Sequence, residues 1–449
     1  MGNMKSLIGK KMMLLAGAFL FAFTVYAQNG GVVTLTLSEA LEIALSENPT
    51  IKISDQEIQL KKEVKKEAYY NLIPEFSLSG SYSRTLKKQT MVMDFDGQSQ
   101  TLKVGSDNSY SGGLNISLPI FAPALYKTIN LTQTDIELAV EQARSSRLEL
   151  INQVTKAYYQ LLLAQDSYEV LLQSYENAET NFNIVNAKYQ QGTVSEYDKI
   201  RADVQMRSLW PSVVSAQNGI NLAKLQLKVL IGIDPELDLG VLGNLKDYEL
   251  SLFEDQLNYG SVNLYNNSSL KQLDINAELL KNTLQLQRTN FLPTLGASFN
   301  YSYTSLNNDF RIAHYKWYPY STVELNLTIP LFKASDYSKT KQTKIQMLQL
   351  AENRAYAEKQ LKVQTSSYLD NMAASSEQVL SNKESVFQAE KGRDIAQKLY
   401  EVGKGTILEL NDSEVALTQT QLTYNQSIYD YLISKADLDM VLGNDMITE

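Results

Sequence analysis

Asn71-Leu72-Ile73-Pro74-Glu75-Phe76-Ser77-Leu78-Ser79-Gly80-Ser81-Tyr82-Ser83 decides the fold, because from Phe76 onward every second residue is apolar or glycine and every residue between is serine. A period of two is the mark of a strand whose faces meet different surroundings. The stretch recurs: Asn290-Phe291-Leu292-Pro293-Thr294-Leu295 repeats its opening and Tyr301 stands for Tyr82, at an offset of 219. Two more stretches alternate in the same way. In one, Tyr110, Gly112, Leu114, Ile116 and Leu118 are spaced by Ser111, Gly113, Asn115 and Ser117; in the other, Val323, Leu325, Leu327 and Ile329 are spaced by Glu324, Asn326 and Thr328. With Leu295, Ala297, Phe299, Tyr301 and Tyr303 they predict four strands in two hairpins. The connections, 85–109 and 304–320, are polar and long for hairpin loops.

Working outward, Leu118-Pro119-Ile120-Phe121 returns as Ile329-Pro330-Leu331-Phe332, Tyr189-Gln190-Gln191-Gly192 as Tyr400-Glu401-Val402-Gly403, and Gly232 and Asp234 as Gly443 and Asp445, all at an offset of 211. The chain therefore reads as a tandem duplication, about 35–243 and 255–446. The offset changes once, between Pro74 and Pro119, a segment of 45 residues against 37 in the second copy. Insertions collect in exposed loops.

Outside the alternating stretches the pattern is helical. No proline interrupts 124–191, which as one helix would be roughly 100 Å long. Ile151, Val154, Tyr158, Leu161, Tyr168, Leu172, Tyr175, Phe182 and Tyr189 follow a spacing of three and four, interrupted only by Gln165, Glu179 and Asn186, a coiled-coil seam. Ala143, Leu150, Ala157, Ala164, Leu171, Ala178 and Val185 recur every seven residues on another part of the surface, which implies a second neighbour. Val213, Ala216, Ile220, Ala223, Leu227 and Leu230 mark a returning helix that Pro211 should kink or break.

Composition narrows the function. Of 449 residues, 44% are hydrophobic, and 41 basic side chains against 50 acidic ones give a net charge of −9 with no basic block. Nucleic acid is thus an unfavoured partner. One His and no Cys remove thiolate chemistry, disulfides and most zinc sites. Gly-x-Ser-x-Gly, P-loop and His-Glu-x-x-His motifs are missing. No enzyme and no cofactor is expected. Residues 1–27 combine Lys5, Lys10 and Lys11, an apolar run from Met12 to Val25 and the small ending Ala27, which reads as a secretory signal peptide. No later run is long and apolar enough for a membrane helix, so membrane contact would need strands. Four strands cannot close a barrel, since the smallest have about eight, and an oligomer must complete it. The competing reading is a soluble periplasmic coiled-coil scaffold carrying two half-buried hairpins.

The order of these features, twice over, resembles the TolC-like outer-membrane efflux channel family across 35–446. The resemblance rests on Asn71 to Pro74 entering the first hairpin, on Leu118-Pro119-Ile120-Phe121 and Ile329-Pro330-Leu331-Phe332 leaving the two hairpins, and on the run Tyr400 to Leu410. It implies a mixed α/β membrane protein of the cell outer membrane. Mostly long α-helices would form a trimeric periplasmic α-barrel, and four antiparallel strands per chain would complete a 12-stranded transmembrane β-barrel. Serines and asparagines of the strands would face the lumen, and Leu, Phe, Tyr and Ile the lipid. The implied partners are two further copies, a periplasmic adaptor (membrane fusion) protein, an inner-membrane pump and outer-membrane lipid.

The same resemblance gives roles to particular residues. Gly192 and Gly403, C-terminal helix caps in their own right, become adaptor-docking tips. Tyr197 and Asp198, with Tyr400 as hydrogen-bonding partner, become the periplasmic gate. Glu409 and Asp412, three apart on one helical face, become an acidic ring at the entrance. Gly405 departs from the family, which carries a basic residue there; Lys404 is a substitute. Asp94, Phe95, Asp96, Gly97 and Asp107 read as a surface turn sooner than a cation site. His314, Tyr315 and Trp317 read as an interfacial aromatic cluster.

Overall fold

The computed structural model describes residues 33–95, 98–249, 252 and 263–444. The signal sequence at 1–27 lies outside them. In chain order the regular elements are β1 (Val33–Leu35), α1 (Leu37–Glu47), α2 (Pro49–Tyr70), β2 (Glu75–Arg84), β3 (Gln89–Phe95), β4 (Gln98–Val104), β5 (Asn108–Phe121), α3 (Pro123–Gln190), α4 (Glu196–Ile231) and β6 (Leu239–Val241). Then come α5 (Ser268–Arg288), β7 (Thr294–Asn307), β8 (Tyr318–Thr328), α6 (Ala334–Glu401) and α7 (Ile407–Leu442). Helices α3 and α6 each hold 68 residues, and α4 and α7 each hold 36. No helix among the described residues is long and apolar enough to cross a membrane.

Two compact units emerge, and neither is one copy of the repeat. The first gathers residues up to Gln56, Glu141–Gln272 and those from Ala355 onward. Its core unites the two predicted seams of α3, through Leu150, Ile151, Val154, Tyr158 and Leu161, with Ile220, Ala223 and Leu227 of α4 and Ile428, Tyr431 and Leu432 of α7. A short parallel pair, β1 with β6, closes over this core. The Tyr158 hydroxyl donates to the Leu242 carbonyl at 2.8 Å and so ties α3 to that pair. Pro211 lies inside α4, and the helix runs through it without a break. A missing N–H costs a helix one bond out of many, and the flanking turns supply the rest.

The second unit, Glu57–Val140 and Leu273–Arg354, holds one antiparallel sheet in the order β2-β5-β7-β8. The two predicted hairpins are therefore joined edge to edge by β5 and β7. Three boundaries differ from the sequence reading. Strand β8 begins at Tyr318 and ends before Ile329. The 85–109 connection contains a second, two-stranded hairpin, β3 with β4, whose alternation of Met91 and Met93 with Val92 was too uniformly apolar to register as a two-faced strand. Pro119 does not end its strand: β5 continues to Phe121, with a register shift just past the proline. Strand β2 starts opposite Ser117, so β5 has a neighbour on one side only from there on, and the ladder tolerates the irregularity.

Register assigns the faces. Phe76, Leu78, Gly80 and Tyr82 lie beside Ile116, Leu114, Gly112 and Tyr110, which lie beside Phe299, Tyr301, Tyr303 and Ser305; Val323, Leu325 and Leu327 extend the same face. The opposite face carries Ser77, Ser79 and Ser81, Ser111, Asn115 and Ser117, Ser298, Asn300 and Ser302, and Thr322 and Asn326. Strand β2 is exposed along its whole length.

Candidate functional site

Both long helices end in the same local device. After α3, Gly192 takes a left-handed φ of +72° and the Thr193 N–H reaches back to the Lys188 carbonyl at 3.0 Å. After α6, Gly403 takes +74° and the Lys404 N–H reaches the Leu399 carbonyl at 2.8 Å. Each is the turn that glycine permits at a helix C-terminus. A Cβ on either glycine would meet nothing within 4 Å, so backbone conformation, and not packing, requires glycine at both places.

Each turn then starts the next helix with a reciprocal cap. The Asp198 N–H donates to Ser195 Oγ at 3.1 Å, and Ser195 N and Oγ donate to the Asp198 carboxylate at 3.2 and 2.7 Å. In the second copy the Glu409 N–H donates to Thr406 Oγ1 at 3.2 Å, and Thr406 N and Oγ1 donate to the Glu409 carboxylate at 2.8 and 3.0 Å. The acid six residues beyond each glycine is thus the third residue of its helix, closing a capping box. Hydrogen bonds from the Thr406 N–H and hydroxyl hold Glu409 below the usual carboxylate range. Glu409 and Asp412 are both exposed, off the buried face of Ile407, Leu410 and Glu414.

A small core of Val185, Ala202, Tyr400, Ile407 and Leu410 packs the two turns together. Tyr400 is buried within it, and its hydroxyl has no hydrogen-bond partner among the described residues. Burial, followed by the nearby Asp198 carboxylate, pushes the Tyr400 phenol up. The expected hydrogen bond from Tyr400 to Asp198 is not formed among the described residues; the cap of α4 takes one oxygen of that carboxylate. Tyr197 is exposed, and its hydroxyl accepts from Arg201 at 3.1 Å. What holds Tyr400 is Lys188, whose ammonium lies 4.3 Å from the ring centre and donates to the Tyr400 carbonyl at 3.2 Å. Sequence reasoning passed over Lys188, although its position in the last turn of α3 is one that favours a cation.

A second missed group lies further along the same helices. Glu414 of α7 accepts from Asn177 of α3 at 3.3 Å and lies 3.6 Å from Arg393 of α6. Burial pushes the Glu414 carboxyl up in spite of Arg393. At Gly405 a Cβ would come within 3.1 Å of both Leu399 Cβ and the Tyr400 backbone nitrogen. Any side chain there would need the turn to give by a few tenths of an ångström, while Lys404 is exposed and forms no ion pair among the described residues.

In the sheet unit, Asp107 pairs with Lys88 at 3.1 Å. Asp96 and Gly97, and the side chains of Asp94 and Phe95, lie outside the described residues. Tyr315 and Trp317 do enter an aromatic cluster. Their ring centres lie 5.3 and 6.5 Å from that of Tyr110, which stacks on Tyr82 at 4.8 Å. His314 sits in the short turn before them, exposed. Along β2, β5, β7 and β8 the serine-rich face has two charged residues, Glu75 and Glu324. They occupy the two edges of one register row, Glu75–Ser117–Ser298–Glu324.

The sequence matches the outer membrane efflux protein family over residues 40–232 and 261–444. It is 22% identical over 417 residues to the outer membrane protein TolC of Escherichia coli K12, covering 91% of this chain and 82% of that protein. To TolC of Vibrio cholerae it is 21% identical over 335 residues, 74% and 76% of the two chains. Among solved structures, the Campylobacter jejuni CmeC outer membrane channel superposes with a TM-score of 0.72 at 18% identity, covering 92% of this chain and 87% of that one. The Vibrio cholerae outer membrane protein VceC superposes with a TM-score of 0.69 at 15% identity, covering 91% and 96%.

Proposed function

The chain belongs to the outer membrane efflux protein family and is an outer-membrane protein, and we propose that it serves as the exit duct of a tripartite efflux or type I secretion system. Three copies give twelve strands and a closed barrel, continued by a periplasmic α-barrel of the long helices. The observation that carries this reading is the sheet. One face is apolar over four strands, the other is lined with serine, threonine and asparagine, and edges β2 and β8 are open within the chain. A strand edge with unmet N–H and C=O groups cannot stand in hydrocarbon, so closure by further copies follows from placing this face in lipid. A soluble scaffold would instead leave Phe76, Leu78, Val323 and Leu325 in water, where they are now 67 to 85% exposed.

On this reading residues 1–27 are a cleaved signal peptide, and the equal helix lengths of the two copies support a tandem duplication. Gly192 and Gly403 present side-chain-free turns for a periplasmic adaptor, which links the duct to an inner-membrane pump. Asp198, Tyr197 and Tyr400 form the gate, and Glu409 with Asp412 contributes six carboxylates per trimer to its entrance. The family is one of channels, and no reaction is assigned. The test is extraction and conductance. The full chain should resist a carbonate wash of outer membranes, migrate as a trimer and open pores in planar bilayers. Release by carbonate would refute the duct. Export that survives Arg at both Gly192 and Gly403 would refute the docking tips alone.

A further inference from the structure

The apolar face of the sheet ends, on the side of the 85–109 and 304–320 connections, in the cluster of Tyr82, Tyr110, Tyr315 and Trp317. Aromatic rings gather where hydrocarbon meets headgroups. Arg84 lies two residues beyond Tyr82 on the same face of β2, about 7 Å further along the strand. It is exposed, and its guanidinium rests over the Phe310 ring, 5.2 Å from the centre. No carboxylate pairs with it among the described residues. Arg311 and Lys316 follow in the neighbouring connection, both exposed and likewise without an ion pair there. Of the acids close by, Asp107 holds Lys88 at 3.1 Å, and Asp309 accepts from the Arg311 backbone N–H at 3.2 Å, one carboxylate against three cations. Around these cations stand exposed apolar side chains, Phe310 at 56% and Ile312 at 61%.

We propose that Arg84, Arg311 and Lys316 form a docking surface for the phosphate groups of anionic membrane lipids in the leaflet at the loop end of the sheet. A cation one pleat above an aromatic belt, on the face that meets acyl chains, stands at headgroup depth. An arginine already oriented by a ring offers its remaining N–H groups as a planar fork that suits phosphate oxygens. A protein partner would have to cover the aromatic belt as well, which on this face belongs to lipid. The inference rests on the placement of the sheet in the membrane, and the experiment separates the two.

Trp317 is the reporter, since Trp210 is the other of two tryptophans and can be removed as Trp210→Phe in the full-length protein. That protein is reconstituted in phosphatidylcholine vesicles containing a minority of brominated phosphatidylcholine or of brominated phosphatidylglycerol. The brominated anionic lipid should occupy the site beside Trp317 about fivefold more readily for each effective cation, and quench it correspondingly more. The preference should vanish in an Arg84→Gln, Arg311→Gln, Lys316→Gln variant, persist in Arg84→Lys, and shrink in the parent as salt is raised. Equal quenching by the two lipids in the parent would overturn the docking surface even if the triple variant fails to assemble. A preference untouched by the triple substitution in assembled protein would overturn it too. Quenching by neither lipid would overturn the membrane placement instead.

Discussion

Gly113→Ala should break the junction that makes one sheet of two hairpins. A Cβ built on Gly113 of β5 would lie 2.5 Å from Ser302 Cβ, 2.6 Å from the Tyr301 carbonyl oxygen and 2.7 Å from Ser302 Cα of β7. Non-bonded heavy atoms rest at about 3.5–4.0 Å, so the strands would have to part by on the order of 1 Å. Two of the three obstacles are backbone, and no rotamer change removes them. Overpacking of this kind costs about 1–3 kcal/mol. Stretching the two ladder hydrogen bonds that flank the site adds about 0.5–1.5 kcal/mol each. The neighbouring glycine is the control: a Cβ on Gly112 would meet its nearest atom, the Ser79 carbonyl oxygen, at 3.7 Å, an ordinary contact. The assay is heat-modifiable migration of the membrane-inserted protein on gels, with the temperature of unfolding compared between Gly112→Ala and Gly113→Ala. Gly112→Ala should behave as the parent, and Gly113→Ala should unfold well below it or fail to insert. Indistinguishable transitions for the two variants would refute the reasoning, and with it the close approach of β5 to β7.

Three further predictions follow from the same geometry. Glu75→Gln with Glu324→Gln should lower the cation-over-anion permeability ratio in bilayers, because these are the charged residues on the serine-rich strand face; an unchanged ratio would mean that this face does not line the pore. Asp198→Ala removes a reciprocal helix cap and should raise single-channel conductance, while Tyr400→Phe deletes a buried hydroxyl that has no partner among the described residues and should not; a leak from Tyr400→Phe would show that the hydroxyl gains a partner in the assembled channel. Burial pushes the Tyr158 phenol up, and burial together with Glu249 does the same for Tyr424. The folded state then binds these protons more tightly than the unfolded one. Their contribution to stability is complete below about pH 10 and is lost as pH rises beyond it, so guanidinium unfolding of the helical unit should fall off more steeply between neutral and strongly alkaline pH in the parent than in Tyr158→Phe.

Much of this protein is determined by local pattern alone. The alternation of Ser77, Ser79 and Ser81 with Leu78, Gly80 and Tyr82 specifies a two-faced strand wherever the chain places it, because successive side chains must point to opposite sides. The glycines at 192 and 403 and the acids six residues later specify turn and cap within a span of seven residues, and the turns and capping boxes form there in both copies. The duplication too can be read without coordinates. What local pattern could not decide was every relation between segments far apart in the chain. The pairing of β5 with β7, the closure of β1 against β6, the seat of Lys188 under Tyr400, and the cluster of Asn177, Arg393 and Glu414 each join residues more than 150 positions apart. Such contacts depend on register and burial, which no periodicity encodes. For the same reason no periodicity shows that the Asp198 carboxylate serves its own helix cap or that the Tyr400 hydroxyl lies in an apolar core.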